Sequence, residues 1–80
     1  MTMNVDTIKM NGFRAVAIAE GFEEPESRDE ILVAWAYLIR TGMAWQLQGK
    51  FGRTAKELIE HNFITERGII QWEYVNPQIN

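Results

Sequence analysis

The sequence predicts one small, mainly α domain in which three to four short helices surround a buried central helix. Ser27 and Glu30 form a capping-box pattern, in which the Ser27 hydroxyl accepts from the Glu30 amide and the Glu30 carboxylate reaches back to the Ser27 amide. The residues that follow, Ile31 to Ile39, are apolar on every side of a helix, which is typical of a helix buried between neighbours. The central helix is therefore expected to begin after Ser27 and to end near Arg40.

A shorter helix is expected before the acidic turn, over residues 12–20. Asn11 is a good N-cap, and Gly21 suits the left-handed position that follows a helix. Alanines between them favour a helix, but Val16 and Ile18 alternate with alanine, which leaves a strand open for this segment. We predict the helix.

The segment after the central helix has helix-turn-helix spacing. We predict a short helix over 43–48, a glycine-containing turn over 49–52, and a second helix that Thr54 caps and that runs to about His61. A following β-hairpin would make the domain a winged helix, whose second helix enters the major groove of DNA. The basic residues that would contact DNA are Lys50, Arg53 and Lys56. Two glutamates of the same helix would oppose that binding.

The end of the chain has the composition of a β-hairpin. Residues 63–65 and 69–75 are rich in β-branched and aromatic side chains, and a turn at 66–68 separates them. Residues 1–10 and 76–80 are expected to be loose. No linker divides the chain, so we treat it as one domain.

Composition excludes several classes of function. The chain of 80 residues has no cysteine and one histidine, His61, so disulfides and thiolate zinc sites are excluded. His61 and Glu57 together supply two ligands, too few for a metal site. No Ser/His/Asp or Cys/His set can be assembled, so we expect no enzyme, no catalytic residue, no metal and no cofactor. The longest apolar stretch is too short for a bilayer, and no signal peptide is evident, so a cytoplasmic location without membrane contact is expected.

Acidic residues are concentrated in the first half of the chain. Residues 1–40 carry seven acids against four bases, whereas residues 41–80 carry four of each. We interpret the run from Glu20 to Glu30 as a surface that imitates DNA phosphates and occupies a basic cleft on a partner protein. The alternative is a solvated turn with acids at the start of a helix.

Aromatic and amide side chains extend this interface hypothesis. Trp35 and Tyr37 are assigned to the core, whereas an exposed Trp45 would make an interface anchor, core burial being its alternative. Packing does not explain the two glutamines that flank Leu47. The predicted protein-binding residues are Glu20, Glu23, Glu24, Glu26, Trp45 and Gln48.

Residues 45–55 read Trp-Gln-Leu-Gln-Gly-Lys-Phe-Gly-Arg-Thr-Ala. With residues 34–44 and 58–60, this stretch resembles a group of short, uncharacterised proteins encoded by tailed phages and prophages. Arg40 and Lys50 depart from the group's pattern, which has an acid and a tryptophan at these positions. The resemblance implies a phage origin and a helical core, and it brings no activity.

The resemblance and the missing catalytic set together suggest a phage-encoded accessory protein that binds a bacterial host protein in the host cytoplasm. Inhibition of that host protein is one form of this hypothesis. A winged-helix DNA-binding regulator is the main alternative, and a structural or assembly factor is a third. The sequence leaves self-association open.

Overall fold

The computed structural model describes residues 10–47 and 49–75, and within them the chain forms five helices. They are α1 (Gly12–Glu20), α2 (Arg28–Arg40), α3 (Met43–Gln46), α4 (Gly49–Glu60) and α5 (Trp72–Val75). α1 packs along α2, while α3 contacts both α2 and α4. The predicted mainly helical fold with a central helix is confirmed. None of the helices in the described residues is long and apolar enough to cross a membrane.

α2 begins and ends where the sequence predicts, and seven of its residues are buried. The Ser27 hydroxyl accepts from the Glu30 amide at 3.2 Å, as the capping box requires. The Glu30 carboxylate, however, accepts from the backbone N–H of Glu26 at 2.6 Å instead of that of Ser27. The prediction for this second bond is wrong because Arg14 binds the other carboxylate oxygen from outside the helix.

The two aromatic residues of α2 differ in burial. Trp35 lies in the core, where its ring packs against that of Phe51 with centroids 5.9 Å apart. Tyr37, which the sequence assigns to the core, is only half-buried, and the Arg40 guanidinium lies over its ring at 5.4 Å from the centroid.

The helix predicted for residues 12–20 is present, with the predicted caps. The Asn11 side chain accepts from the backbone N–H of Arg14 at 2.8 Å. Gly21 has the left-handed φ of 85° that ends a helix without strain in glycine. α1 buries Ala15, Ala17 and Ile18.

α4 begins at Gly49, six residues before the start at Ala55 that a Thr54 cap predicts. The predicted turn at 49–52 is its first turn, and Thr54 lies inside the helix and does not cap it. Phe51 and Ala55, four residues apart on one face, are both buried, and this packing outweighs the poor helix propensity of the two glycines. α4 ends at Glu60, and Asn62 closes it with a φ of 65°, close to the predicted end.

The predicted C-terminal hairpin does not form. Its only ladder contact in the described residues is one antiparallel bridge between Ile64 and Ile70. Residues 72–75, predicted as strand, form α5, which buries Val75 in the core cluster that also contains Leu32 of α2. The predicted turn at 66–68 is present, with Gly68 at a φ of 82°.

The loose ends that the sequence predicts fall largely on residues 1–9 and 76–80, which lie outside the described residues. Met10 is described, and it packs against the core.

Candidate functional site

An open apolar groove of about 710 Å³ lies on the outer side of α1. Its lining comprises Gly12, Phe13, Val16 and Ala17 of α1, Phe22 and Glu23 of the following loop, and Met43 of α3. Two phenylalanines stand at this groove almost fully in solvent: Phe13 is 81% exposed and Phe22 is 80% exposed.

The groove forms because α1 is apolar on two faces, of which the described part of the chain packs α2 against one. Arg14 and Glu20 are the only charged residues of this helix. Ala15 and Ile18 share a face three residues apart and are buried, whereas Phe13 and Val16 share a different face and line the groove. The second face therefore leaves large apolar side chains in contact with water.

Gly12 and Met43 form the end of the groove where α1 meets α3. A Cβ at position 12 would lie 3.4 Å from the Met43 sulfur and 3.9 Å from Cε1 of Tyr37. These are ordinary van der Waals distances, so α1 and α3 lie in contact here, and the flexible methionine gives this end of the groove an adaptable surface.

Arg14 ties the loop that carries Phe22 to both helices. Its Nε donates to Oε2 of Glu30 at 2.9 Å, and its Nη2 lies 2.8 Å from the same oxygen. Its Nη1 donates to Oε1 of Glu23 at 2.5 Å. One guanidinium thus joins α1, the first turn of α2 and residue 23 of the loop, and holds the loop wall of the groove in place.

Glu30 is a buried carboxylate with strong donors around it. The hydrogen bond from the Glu26 backbone N–H does most to lower the pKa of Glu30; burial acts in the opposite direction, and Arg14 lowers the pKa further. Because the folded-state pKa is depressed, ionised Glu30 stabilises the fold above its ordinary pKa of 4.5, and this stabilisation is lost as the pH falls through the lower folded value.

We expect Glu30→Gln to lower the free energy of unfolding at pH 7 by about 2 kcal/mol, since a buried charged acceptor of several hydrogen bonds is removed. The difference from the wild type should shrink as the pH falls below 4.5, where Glu30 loses its charge in the unfolded and then in the folded protein. Urea unfolding followed by tryptophan fluorescence at pH 7 and pH 3 measures both values. Glu60→Gln, on the exposed face of α4, is the matched control, expected within about 0.5 kcal/mol of the wild type at pH 7. A difference for Glu30→Gln that is the same at both pH values would contradict the assignment.

The four predicted acidic binding residues do not form one uniform surface. Glu20 pairs with Lys50 of α4 at 3.1 Å, and Glu23 pairs with Arg14. Glu24 and Glu26 are exposed. Only Glu23 lines the groove, so the structure brings one predicted acid to the apolar site and leaves two more in the loop that follows.

The other two predicted protein-binding residues lie elsewhere. Trp45 is 50% exposed on α3, on the side where α4 approaches, with its ring 3.7 Å from a Cβ placed at Gly52. It is not part of the groove lining. Gln48 lies outside the described residues.

The predicted DNA-contacting residues share the exposed face of α4. Lys50, Arg53 and Lys56 are all exposed on this helix. Lys50 is in its first turn and pairs with Glu20, whereas the sequence places it in a turn. Glu57 and Glu60 are exposed on the same helix, so this face carries both signs of charge.

A second open groove, of about 470 Å³, lies at the turn after α4 near Ile69, which is 59% exposed. Most of its lining is polar or charged: Asn62, Thr65, Glu66, Arg67 and Gln71. The groove at α1 is the larger and the more apolar of the two, and it is the candidate site.

The sequence reasoning missed the residues that make this groove, above all Phe13 and Phe22. The available signal was the composition of residues 12–20, which are apolar almost all round like the central helix but cover only nine positions. Such a helix needs two neighbours to bury both faces. Among the described residues, α2 covers one face of α1 and the other face lines the open groove.

One comparison with known proteins finds a match. A family model described as "Domain of unknown function (DUF7417)" matches residues 18–77. No curated protein matches the chain, and no solved structure does. Of the groove lining, Phe22, Glu23 and Met43 lie within the matched residues, and the four residues of α1 precede them.

Proposed function

We propose that this chain, which belongs to the family described as a domain of unknown function (DUF7417), is a non-enzymatic protein-binding module that uses the α1 groove as its contact surface. The observation that carries the proposal is the pair of solvent-exposed phenylalanines, Phe13 and Phe22, beside an open apolar groove. The largest contiguous apolar patch on a monomeric protein is often an interaction site. Aromatic side chains at such a site serve as binding anchors.

Binding suits this groove better than chemistry does. Its lining contains one ionisable side chain, Glu23, and that carboxylate is paired with Arg14. A catalytic site needs several convergent ionisable or nucleophilic groups. In the part of the chain that the structure describes, no three His, Cys, Asp or Glu side chains are grouped so as to hold a metal ion.

The proposal includes a setting for this binding. The resemblance of residues 45–55 to phage-encoded proteins supports an accessory protein that binds a bacterial host protein in the host cytoplasm. Occupation of the partner's own binding surface would inhibit that partner. DNA binding through Lys50, Arg53 and Lys56 is the alternative; the glutamates beside them and the missing second strand of a wing count against it.

Affinity capture from a bacterial lysate tests the proposal through paired variants. Phe13→Ser and Phe22→Ser should each raise the Kd for the captured partner by about 30-fold, and together by up to about 1000-fold, since each anchor contributes about 2 kcal/mol at a binding site. Because both residues are exposed, the free energy of unfolding of the double variant, measured by thermal unfolding, should lie within about 0.5 kcal/mol of that of the wild type.

Two further variants make the capture experiment decisive. Ile69→Ser removes an exposed apolar side chain at the other groove, and it should leave capture unchanged. Arg53→Glu with Lys56→Glu tests the α4 face. Capture that survives the loss of both phenylalanines would overturn the proposal. Salt-sensitive binding to duplex DNA that the α4 variant abolishes would favour the regulator.

A further inference from the structure

We infer that the groove at α1 takes an amphipathic helix of its partner, with apolar side chains in the groove and lysines or arginines facing the loop 21–27. This inference rests on the proposed function above and specifies the chemistry of the partner. Two features of the described residues support it: the helical walls of the groove and the acids of the loop. Those acids also disfavour a second copy of this chain as the occupant.

The walls of the groove favour a helical ligand over an extended one. The lining residues of α1, and Met43 of α3, belong to helices, so these walls present no row of strand N–H and C=O groups. No strand edge is available there for an added β-strand. An extended peptide would lay its own N–H and C=O groups unpaired against apolar side chains, at a cost that a helix avoids by pairing them internally.

The loop beside the groove favours basic residues on that helix. Glu23 lines the groove, and Glu24 and Glu26 follow it in the same loop and are exposed. Arg14 is the one cation that contacts these loop acids among the described residues, and it also binds Glu30. The loop therefore keeps an excess of negative charge next to the apolar surface, and complementary charge on the partner would select it and speed association.

A second copy of this chain fits the groove less well. A two-fold interface brings the same surface of both copies together. Centred on this groove, it would place the two loops of residues 21–27 near each other, each carrying Glu24 and Glu26 exposed. Juxtaposed like charges oppose such a contact.

Three fluorescein-labelled peptides of about 18 residues, long enough to hold a helix, serve as probes. The first has leucines on one helical face and lysines on the other. The second replaces every lysine by glutamate. The third has the composition of the first with the leucines scattered over all faces. Fluorescence anisotropy with the full chain should give a Kd for the lysine peptide at least about tenfold lower than for either of the others.

Protein variants assign that binding to the groove and to the loop. Phe13→Ser with Phe22→Ser should abolish it. Glu24→Gln with Glu26→Gln should remove most of the preference for lysine over glutamate, while the matched pair Glu57→Gln and Glu60→Gln on α4 should retain it. Because all these side chains are exposed, unchanged circular dichroism is expected for every variant.

Four results would overturn the inference. The lysine and glutamate peptides could bind equally and both depend on Phe13 and Phe22, in which case the partner need not be basic while the groove remains a binding site. The scattered peptide could bind as tightly as the amphipathic one, or the lysine peptide could bind the Phe13 and Phe22 variant as tightly as the wild type. Either result would show non-specific charge attraction. Light scattering could show dimers that are lost when Phe13 is replaced, while no peptide binds. This result would assign the groove to a second copy of the chain. The proposed function is tested by a different experiment, the affinity capture. It fails if the partner is still captured after both phenylalanines are replaced.

Discussion

Replacing Gly68 by alanine should lower the free energy of unfolding by about 2 to 5 kcal/mol. Gly68 has a φ of 82°, a left-handed conformation that costs about 1–2 kcal/mol for a residue with a Cβ. That Cβ would also lie 2.6 Å from the carbonyl oxygen of Ala36 and 2.8 Å from the backbone nitrogen of Arg40. Both atoms belong to the backbone of α2, which cannot rotate away, and overpacking of this kind costs about 1–3 kcal/mol more.

Two other glycines are matched controls for this substitution. Gly21 has a φ of 85° with open space around it, so Gly21→Ala should cost only the strain, about 1–2 kcal/mol. Gly49, in α4, meets nothing within 4 Å and has no positive φ, so Gly49→Ala should be neutral or stabilise by up to about 1 kcal/mol. Urea unfolding measures all three. Equal costs at positions 68 and 21 would contradict the close approach of the 66–68 turn to α2.

Leu38→Ala should cost about 3 kcal/mol. Leu38 lies in α2 with no exposed surface, and it is one of the two largest fully buried side chains among the described residues. Truncation of a buried leucine removes apolar burial and leaves a cavity, with measured costs of about 2–5 kcal/mol in proteins. A domain of this size has a total stability of about 4–12 kcal/mol, so the substitution would remove a large part of it.

Ile31→Ala is the control for this prediction on the same helix. Ile31 is 38% exposed, so its truncation should cost about 1 kcal/mol or less. Thermal and urea unfolding of both variants give the comparison. Similar costs at positions 31 and 38 would contradict the burial of the inner face of α2.

The elements that local chemistry determines could be predicted from the sequence. The Asn11 and Ser27 side chains each accept from a backbone N–H three residues ahead, and each is found at the helix start where the sequence predicts it. The predictions that are wrong concern a helix start and a hydrogen bond that contacts with residues distant in sequence determine. α4 begins early because Phe51, in its first turn, packs against Trp35 of α2. The Glu30 carboxylate does not accept from the Ser27 amide because Arg14 binds one of its oxygens from α1.

The candidate site was less predictable than the fold. The acids of residues 20–26 are visible as a run in the sequence, but the pairing of Glu20 with Lys50 and of Glu23 with Arg14 depends on tertiary structure. The exposure of Phe13 depends on which face of α1 meets α2, and that of Phe22 depends on the path of the loop after α1. An apolar helix pattern predicts burial, and it does not show that one side lacks a neighbour.

The most direct test of the binding surface is photo-crosslinking in living bacteria that make the full chain. Phe13→benzoylphenylalanine puts the reactive group at the groove, and Ile69→benzoylphenylalanine puts it at an exposed apolar side chain beside the more polar second groove. We predict one discrete crosslinked protein at position 13 and none at position 69. A discrete partner at position 69 with none at position 13 would contradict the assignment of the groove as the binding surface.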